Sequence, residues 1–374
     1  MLYDFIFVIG AVQSAFLAFV LWFKKNKSIG DKLLIAWLCF LAVHLIFIYF
    51  GFSGYYKAYP KLAIVGSSLM LLQGPFIYFY TAFATNKIRR FRIYHIVHII
   101  PFLFFTCYFA HKILSFSAPD IYIETLEFFN DEANSLVLLF GLLNHFHIII
   151  YLYLSMSIIR KHTKQLPETF SYTEGVNLKW LKNLIIGITV IAILIIAGLL
   201  IDDILSLVNH NFKATLIYSA LAILPFYLSF YAIRQKIIYP EKTDDLHSSK
   251  YQSSGLSLEE SKKRAIQLSE YMTAQKPYLN PKLTIKDLAE SLEMHPKELS
   301  RVINENLNQN FFNFVNNYRV EEYKNQLTNP KNSNFTLIAI AYDCGFNTKS
   351  SFNSIFKKFT GKTPSQFRAD LNSA

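Results

Sequence analysis

The sequence predicts an all-α protein in two parts: a polytopic helical membrane domain of about seven spans, then a soluble domain with two helix-turn-helix units joined by a linker helix. Three observations carry this expectation. The chain has 374 residues, of which 52% are hydrophobic and only 17% charged, too apolar for an ordinary soluble protein. Its long stretches without Lys, Arg, Asp or Glu all precede Lys236. Beyond Gly255 the apolar residues recur with the period of an amphipathic helix instead. The division that follows is a membrane domain at 1–239, a polar, Ser-rich linker at 240–255 and a soluble domain at 256–374.

The charge-free stretches fall at 5–23, 33–56, 62–86, 93–111, 133–159, 183–201 and 214–233. Each holds the roughly 20 helical residues that cross about 30 Å of hydrocarbon. Lipid offers no hydrogen-bond partners, so each must be a helix that satisfies its own backbone, kinked where Pro75, Pro101 and Pro225 stand.

Lys and Arg between the spans set the orientation. Lys24, Lys25, Lys27, Lys32, Lys87, Arg89, Arg90, Arg92, Arg160, Lys161, Lys164, Lys179, Lys182, Arg234 and Lys236 fall on one side, and only Lys57, Lys61, Lys112 and Lys213 on the other. The richer side is cytoplasmic, which places the N-terminus outside and the C-terminal domain inside. For a bacterial chain this means the inner membrane, with a periplasmic N-terminus. The first span lacks a basic leader and is followed by Lys24 and Lys25 rather than a small-residue cleavage site, so it reads as an anchor. Cys39 and Cys107 fall within spans and Cys344 in the soluble domain, which gives no pairing framework.

Polar residues in the spans that invite a functional reading are His44, His95, His98, His145 and His147, with Gln73 and Asn144. We read the imidazoles as neutral groups hydrogen-bonded between helices, because a haem or metal would need two of them converging from different helices. No metal and no cofactor is therefore assigned. Glu124, Glu127 and Asp131 share one helical face in the outer segment, read as a solvated surface with a cation or basic peptide as its alternative use.

In the soluble domain, Leu258, Ala265, Leu268 and Met272 mark an amphipathic helix ending near Lys276-Pro277. Thr284 and Asp287 form a capping box that opens the next helix, and a turn at 293–295 leads to Pro296 at a helix first position. That helix, 296–307, buries Leu299, Val302, Ile303 and Leu307 and presents Lys297, Ser300, Arg301 and Asn304 on its opposite face. The pattern recurs. Leu337, Ile340 and Ala341 line one helix, Gly345 turns the chain, and Asn347-Thr348 caps a second helix. The latter buries Phe352, Ile355, Phe356 and Phe359 and presents Lys349, Ser350, Asn353, Ser354, Lys357 and Lys358. Residues 311–327 read as one connecting helix. A helix, a short turn and a second helix with a polar, cationic outer face is the arrangement that fits a DNA major groove.

These residues resemble a known signature. The run Gly345-Phe346-Asn347-Thr348-Lys349-Ser350-Ser351-Phe352, followed by Phe356-Lys357-Lys358-Phe359-Thr360-Gly361-Lys362-Thr363-Pro364-Ser365-Gln366-Phe367-Arg368, is similar to that of AraC/XylS-type transcription regulators. Leu299-Ser300-Arg301 and Asn316-x-x-Arg319 fit the same family's first helix-turn-helix and linker helix. The membrane half resembles multi-spanning sensors that some bacteria, notably Bacteroidota, fuse to this domain, through Gly74-Pro75, His98-x-x-Pro101-Phe102 and Asn177-Leu178-Lys179-Trp180-Leu181.

The resemblance implies two recognition helices per chain, with Lys297, Ser300, Arg301 and Asn304 on the first and Lys349, Ser350, Asn353, Ser354, Lys357 and Lys358 on the second. The family often has Gly where Glu293 stands, Ala where Tyr323 stands and Arg where Ser354 stands. Loss of that Arg either weakens base reading by the second helix or shifts it to Asn353 and Lys349. Residues 256–374 carry 16 Lys or Arg against 12 Asp or Glu, so charge alone does not mark a DNA binder; the repeated motif does.

No Walker loop, HExxH, paired CxxC or kinase motif occurs, so no catalysis is implied and a signal would pass by conformation within one chain. The partners implied are double-stranded DNA, the lipid bilayer and an unidentified small-molecule or peptide signal, with the 258–272 helix as a face for homodimerisation. Two other readings stand beside this one: spans that only tether a constitutive DNA-binding domain, and a membrane enzyme or transporter carrying the helix-turn-helix part as an interaction appendage.

Overall fold

The computed structural model describes residues 2–59, 61–115, 135–173, 176–205, 221–228, 231 and 257–373. Among them all repeating structure is helical, with an isolated antiparallel bridge between Phe170 and Thr284. The chain divides into two compact units, Met1–Arg160 with Leu178–Ile237, and Lys161–Asn177 with Ile238–Ala374.

The first unit contains α1 (Leu2–Trp22), α2 (Ile29–Phe52), α3 (Tyr55–Ala58), α4 (Leu62–Ser68), α5 (Gln73–Ala84), α6 (Ile100–Ser115), most of α7 (Ser135–Thr169), and α8 (Lys179–Leu205). Four apolar helical runs, Phe5–Trp22, Ile29–Phe52, Leu62–Ala84 and Ile93–Ser115, are long and apolar enough to cross a membrane. The expected fifth and sixth spans coincide with parts of α7 and α8, and the seventh lies largely outside the described residues, as do the acidic outer segment and the linker.

Local signals explain where these helices begin. Ser28 and Asp31 form a capping box at α2, and Lys24 Nζ lies 2.6 Å from the Asp31 carboxylate. Pro75 and Pro101 act differently from the expectation. The 62–84 run breaks at a 3-10 turn, Leu69–Leu72, and Pro75 then sits in the first turn of α5; a second 3-10 segment, Ile93–Ile99, precedes Pro101 in the first turn of α6. At such positions the missing N–H has no intrahelical role, so proline starts a helix rather than kinking one.

Leu17 and Leu21 of α1 pack on Leu34, Trp37, Leu38 and Leu41 of α2, joined by Ile77 and Tyr80 of α5, Leu152 and Ile159 of α7, and Leu181 and Ile185 of α8. The outward side is as apolar as the core: Phe5, Val12, Phe16, Phe19, Trp22, Ile93 and Phe104 are all exposed. Buried polar groups are paired across helices, as burial demands. Trp37 Nε1 donates to Gln73 Oε1 at 3.1 Å, and Gln73 Nε2 donates to His44 Nδ1 at 3.2 Å, which makes His44 a neutral acceptor. His95 Nδ1 accepts from the Arg92 amide, and His98 Nδ1 lies 2.6 Å from the Tyr151 hydroxyl. Gly74 lets the Tyr151 ring reach the α5 backbone, since a Cβ there would stand 2.7 Å from it.

In the second unit α9 (Leu258–Gln275) is followed by α10 (Ile285–Ser291), α11 (Pro296–Leu307), α12 (Phe311–Thr328), α13 (Leu337–Asp343), α14 (Lys349–Thr360) and α15 (Pro364–Ser373). Ser257–Glu260 and Thr284–Asp287 capping boxes open α9 and α10, and Asn310, Thr336 and Thr348 cap α12, α13 and α14. Each such cap contributes about 1 kcal/mol. α12 runs between two cores. Its Phe311, Phe314 and Val315 pack with α9, α10 and α11, while Val320 and Tyr323 pack with α13 and α14. Burial on both sides is why its sequence lacks a single apolar stripe.

Candidate nucleic-acid interface

The helix pairs α10–α11 and α13–α14 are built alike. Each turn is closed by an amide reaching back five residues, Met294 N to Ala289 O at 2.9 Å and Phe346 N to Ala341 O at 3.1 Å. Glu293 and Gly345 occupy the same place in the two turns, both left-handed, at φ 52° and 87°. Glycine is obligatory at the second: a Cβ on Gly345 would collide with the Tyr278 carbonyl oxygen. The first turn spans residues 292–295 and the second 344–348, one residue more. Beyond the turns the buried residues match again, Leu299, Val302 and Ile303 in α11 and Phe352, Ile355 and Phe356 in α14. Leu307, Leu337 and Phe359 lie at the core margins, partly buried.

This register aligns the outward faces. Lys297, Ser300, Arg301 and Asn304 of α11 correspond to Ser350, Asn353, Ser354 and Lys357 of α14, at the spacing of one helical face. Lys297 and Asn304 are exposed and Ser300 and Arg301 half-buried, with the Arg301 guanidinium 3.6 Å from the Glu305 carboxylate. Lys349, Ser350, Asn353, Ser354 and Lys357 are all exposed. Lys358 is exposed as well but turns aside: its ammonium donates to Asn313 Oδ1 of α12 at 2.9 Å. Asn347 does not cap α14; its amide donates to the Pro281 carbonyl at 2.6 Å, and Thr348 alone caps.

Behind α11 lies a polar centre that the sequence did not reveal. Arg319 is 1% exposed and every guanidinium N–H finds an acceptor: Tyr278 O at 2.8 Å, Asn280 O at 2.8 Å, Asn316 Oδ1 at 3.3 Å, and Ser171 O and Oγ at 3.1 Å each. Asn316 Nδ2 donates to the same Ser171 carbonyl at 3.0 Å, and Ser171 Oγ donates to Leu283 O at 2.7 Å. The described residues of Lys161–Asn177 thus belong to this unit. Leu166, Phe170, Tyr172 and Val176 form a small apolar cluster, and His162 Nε2 donates to Val176 O at 3.1 Å. The Glu168 carboxylate, which no local pattern singles out, accepts from Asn304 Nδ2 at 3.2 Å and from Ser300 Oγ at 3.4 Å.

Burial governs the titratable groups here. It pushes the Cys344 thiol up to about 12, aided by the Glu322 and Asp343 charges, so this cysteine is an inert core residue. Burial also raises Tyr323 to about 12. At Glu322 burial opposes ionisation, but hydrogen bonds from Gln326, Lys276 and Tyr278 outweigh it and hold the carboxyl below its usual range. His162 is lowered by burial, against a smaller opposite effect of its bond to Val176. Among the described residues, no three His, Cys, Asp or Glu converge as metal ligands.

Comparison with known proteins agrees with this geometry. A family model described as a helix-turn-helix domain, of the AraC type, matches residues 288–370. The chain is similar to uncharacterized HTH-type transcriptional regulators of Staphylococcus aureus strains COL, MSSA476 and N315, at 35% identity over 88 residues in each case. Those residues are 24% of this chain and 11% of each relative, so the likeness concerns this one domain. No solved structure matches. The C-terminal unit therefore carries a DNA-binding helix-turn-helix domain of the transcription-regulator type.

Proposed function

We propose that the chain is a membrane-embedded transcription regulator, with its apolar unit in the bacterial inner membrane and its helix-turn-helix unit on DNA. The observation that carries the proposal is the matched pair of polar outward faces on α11 and α14, within a domain of transcription-regulator type. In this reading α10–α11 and α13–α14 are tandem helix-turn-helix units, and α11 and α14 enter successive major grooves roughly 34 Å apart. Lys297, Ser300, Arg301 and Asn304 serve the first groove, and Lys349, Ser350, Asn353, Ser354 and Lys357 the second; Lys358 reaches phosphate only by leaving Asn313. Exposed Phe5, Phe16, Phe19, Trp22 and Phe104 support a lipid surround of about seven spans, and the Lys and Arg bias supports a periplasmic N-terminus. The membrane unit then senses a bilayer or periplasmic signal, which alters DNA affinity only if it prefers one of two states of the chain. Exposed Leu258 and Ile266 on α9 offer the face for homodimerisation.

The test is selection from a random duplex pool by the full chain in lipid nanodiscs, beside Arg301→Ala and Glu168→Ala. The expected result is a motif of two half-sites spaced by about 10 base pairs, with the first half-site relaxed in Arg301→Ala. No enrichment at low salt by either the chain or the Glu168→Ala variant would overturn the proposal.

A further inference from the structure

We infer that residues Lys161–Asn177 form an autoinhibitory strap, whose Glu168 carboxylate holds the donors of α11 that DNA would otherwise take. The inference rests on the DNA-binding reading of α11 given above. Two features show that the strap is a built contact. Ser171 is 1% exposed and accepts two hydrogen bonds from Arg319 and one from Asn316, two residues of α12 that are themselves buried. Phe170 pairs with Thr284 in a backbone bridge, and the Ser171 amide donates to Leu283 O at 3.3 Å, so the strap is zipped to the segment that opens α10.

This seat delivers the last turn of α7 to the outward face of α11. Glu168 Oε2 then accepts from Ser300 Oγ and Asn304 Nδ2, both on the face proposed to meet DNA. A carboxylate and a phosphodiester compete for the same donors, and they repel one another at close range. α11 cannot seat its Ser300 and Asn304 on DNA while Glu168 keeps them. No equivalent carboxylate contact to α14 occurs among the described residues, so the block falls on one of the two faces. The strap comprises the C-terminal end of α7 and the connection to α8, and both are long helices of largely apolar sequence. A signal that displaces the adjoining ends of those helices pulls Glu168 from α11 through a chain only a few residues long.

The experiment uses the full chain in lipid nanodiscs and a fluorescent duplex of random sequence at low salt. Glu168→Ala is expected to bind it about fivefold more tightly than the unaltered chain, the effect of releasing roughly 1 kcal/mol of competing hydrogen bonds. Equal affinity would overturn the inference. A second variant tests the contact without relying on affinity: Glu168→Cys with Asn304→Cys, in a chain whose Cys39 and Cys107 are Ala, treated with a short bis-maleimide. Cross-linking without DNA, protection by saturating duplex and at least tenfold weaker binding once cross-linked are the expected results. Absence of cross-linking, or duplex binding indifferent to it, would remove the strap. Cross-linking with no duplex bound by any variant, Glu168→Ala included, would instead remove the DNA-binding reading, and the competition with it.

Discussion

Gly345 and Glu293 hold the same backbone position, and only one of them has the residue that the position favours. At φ 87° and with the Tyr278 carbonyl beside it, Gly345 tolerates no side chain, whereas Glu293 carries a Cβ at φ 52° on an exposed turn. A left-handed residue with Cβ costs about 1–2 kcal/mol relative to the ordinary helical region. Glu293→Gly should therefore slow hydrogen exchange of α10 and α11 in the full chain, by up to about 1 kcal/mol after the entropy cost of glycine. Gly345→Ala should destabilise α13 and α14 by about 2 kcal/mol or more, since steric conflict adds to backbone strain. Protection unchanged in both variants would contradict this account of the turns. The need for glycine at 345 is legible from its place between two helices, because turn chemistry is local. The partners of Arg319 are not, because Ser171 lies 148 residues away and its hydrogen bonds depend on a fold no local pattern encodes.

At the level of elements, α9 to α14 are legible in the sequence, whereas α15 is not. Capping residues and the residue before proline are short-range signals, and the apolar period identifies the buried face of α11 and α14. The face opposite is defined by exclusion, so spacing alone places Lys358 on it. Five phosphate contacts by Lys297, Arg301, Lys349, Lys357 and Lys358 would give a slope of log affinity against log salt near 4.5. With Lys358 held at Asn313, we expect about 3.6 from the remaining four. A titration of duplex binding between low and moderate salt distinguishes these, and a slope near zero would exclude phosphate neutralisation by either set. The apolar helices were less legible in detail. Composition located the runs, but the 3-10 segments that interrupt them follow from backbone packing beside Pro75 and Pro101 rather than from hydropathy.

For the whole molecule, composition separates an apolar part from a more polar one, but it does not reveal that Lys161–Asn177 cluster with the C-terminal unit. Their charges read as a loop between spans, while Phe170, Ser171 and Tyr172 are buried within the C-terminal unit. The proposed topology has its own test. In cells expressing Lys61→Cys or Lys87→Cys, with Cys39 and Cys107 replaced by Ala, a membrane-impermeant maleimide should label position 61 in intact cells and position 87 only after lysis. The opposite pattern would invert the chain, and labelling of both in intact cells would refute the spanning arrangement between them.

The burial of Arg319 around Ser171 also fixes an order of events during synthesis. Ser171 leaves the ribosome well before Arg319, so the last helices complete their polar centre on a segment already made and already joined to the apolar helices. A protease that cut the chain between them would not free an intact domain. The liberated piece would lose the hydrogen bonds that Ser171 accepts from Arg319 and Asn316 and leave a buried cation short of acceptors, which makes it prone to unfold and be degraded. Cleavage there would therefore destroy the helix-turn-helix domain rather than release it.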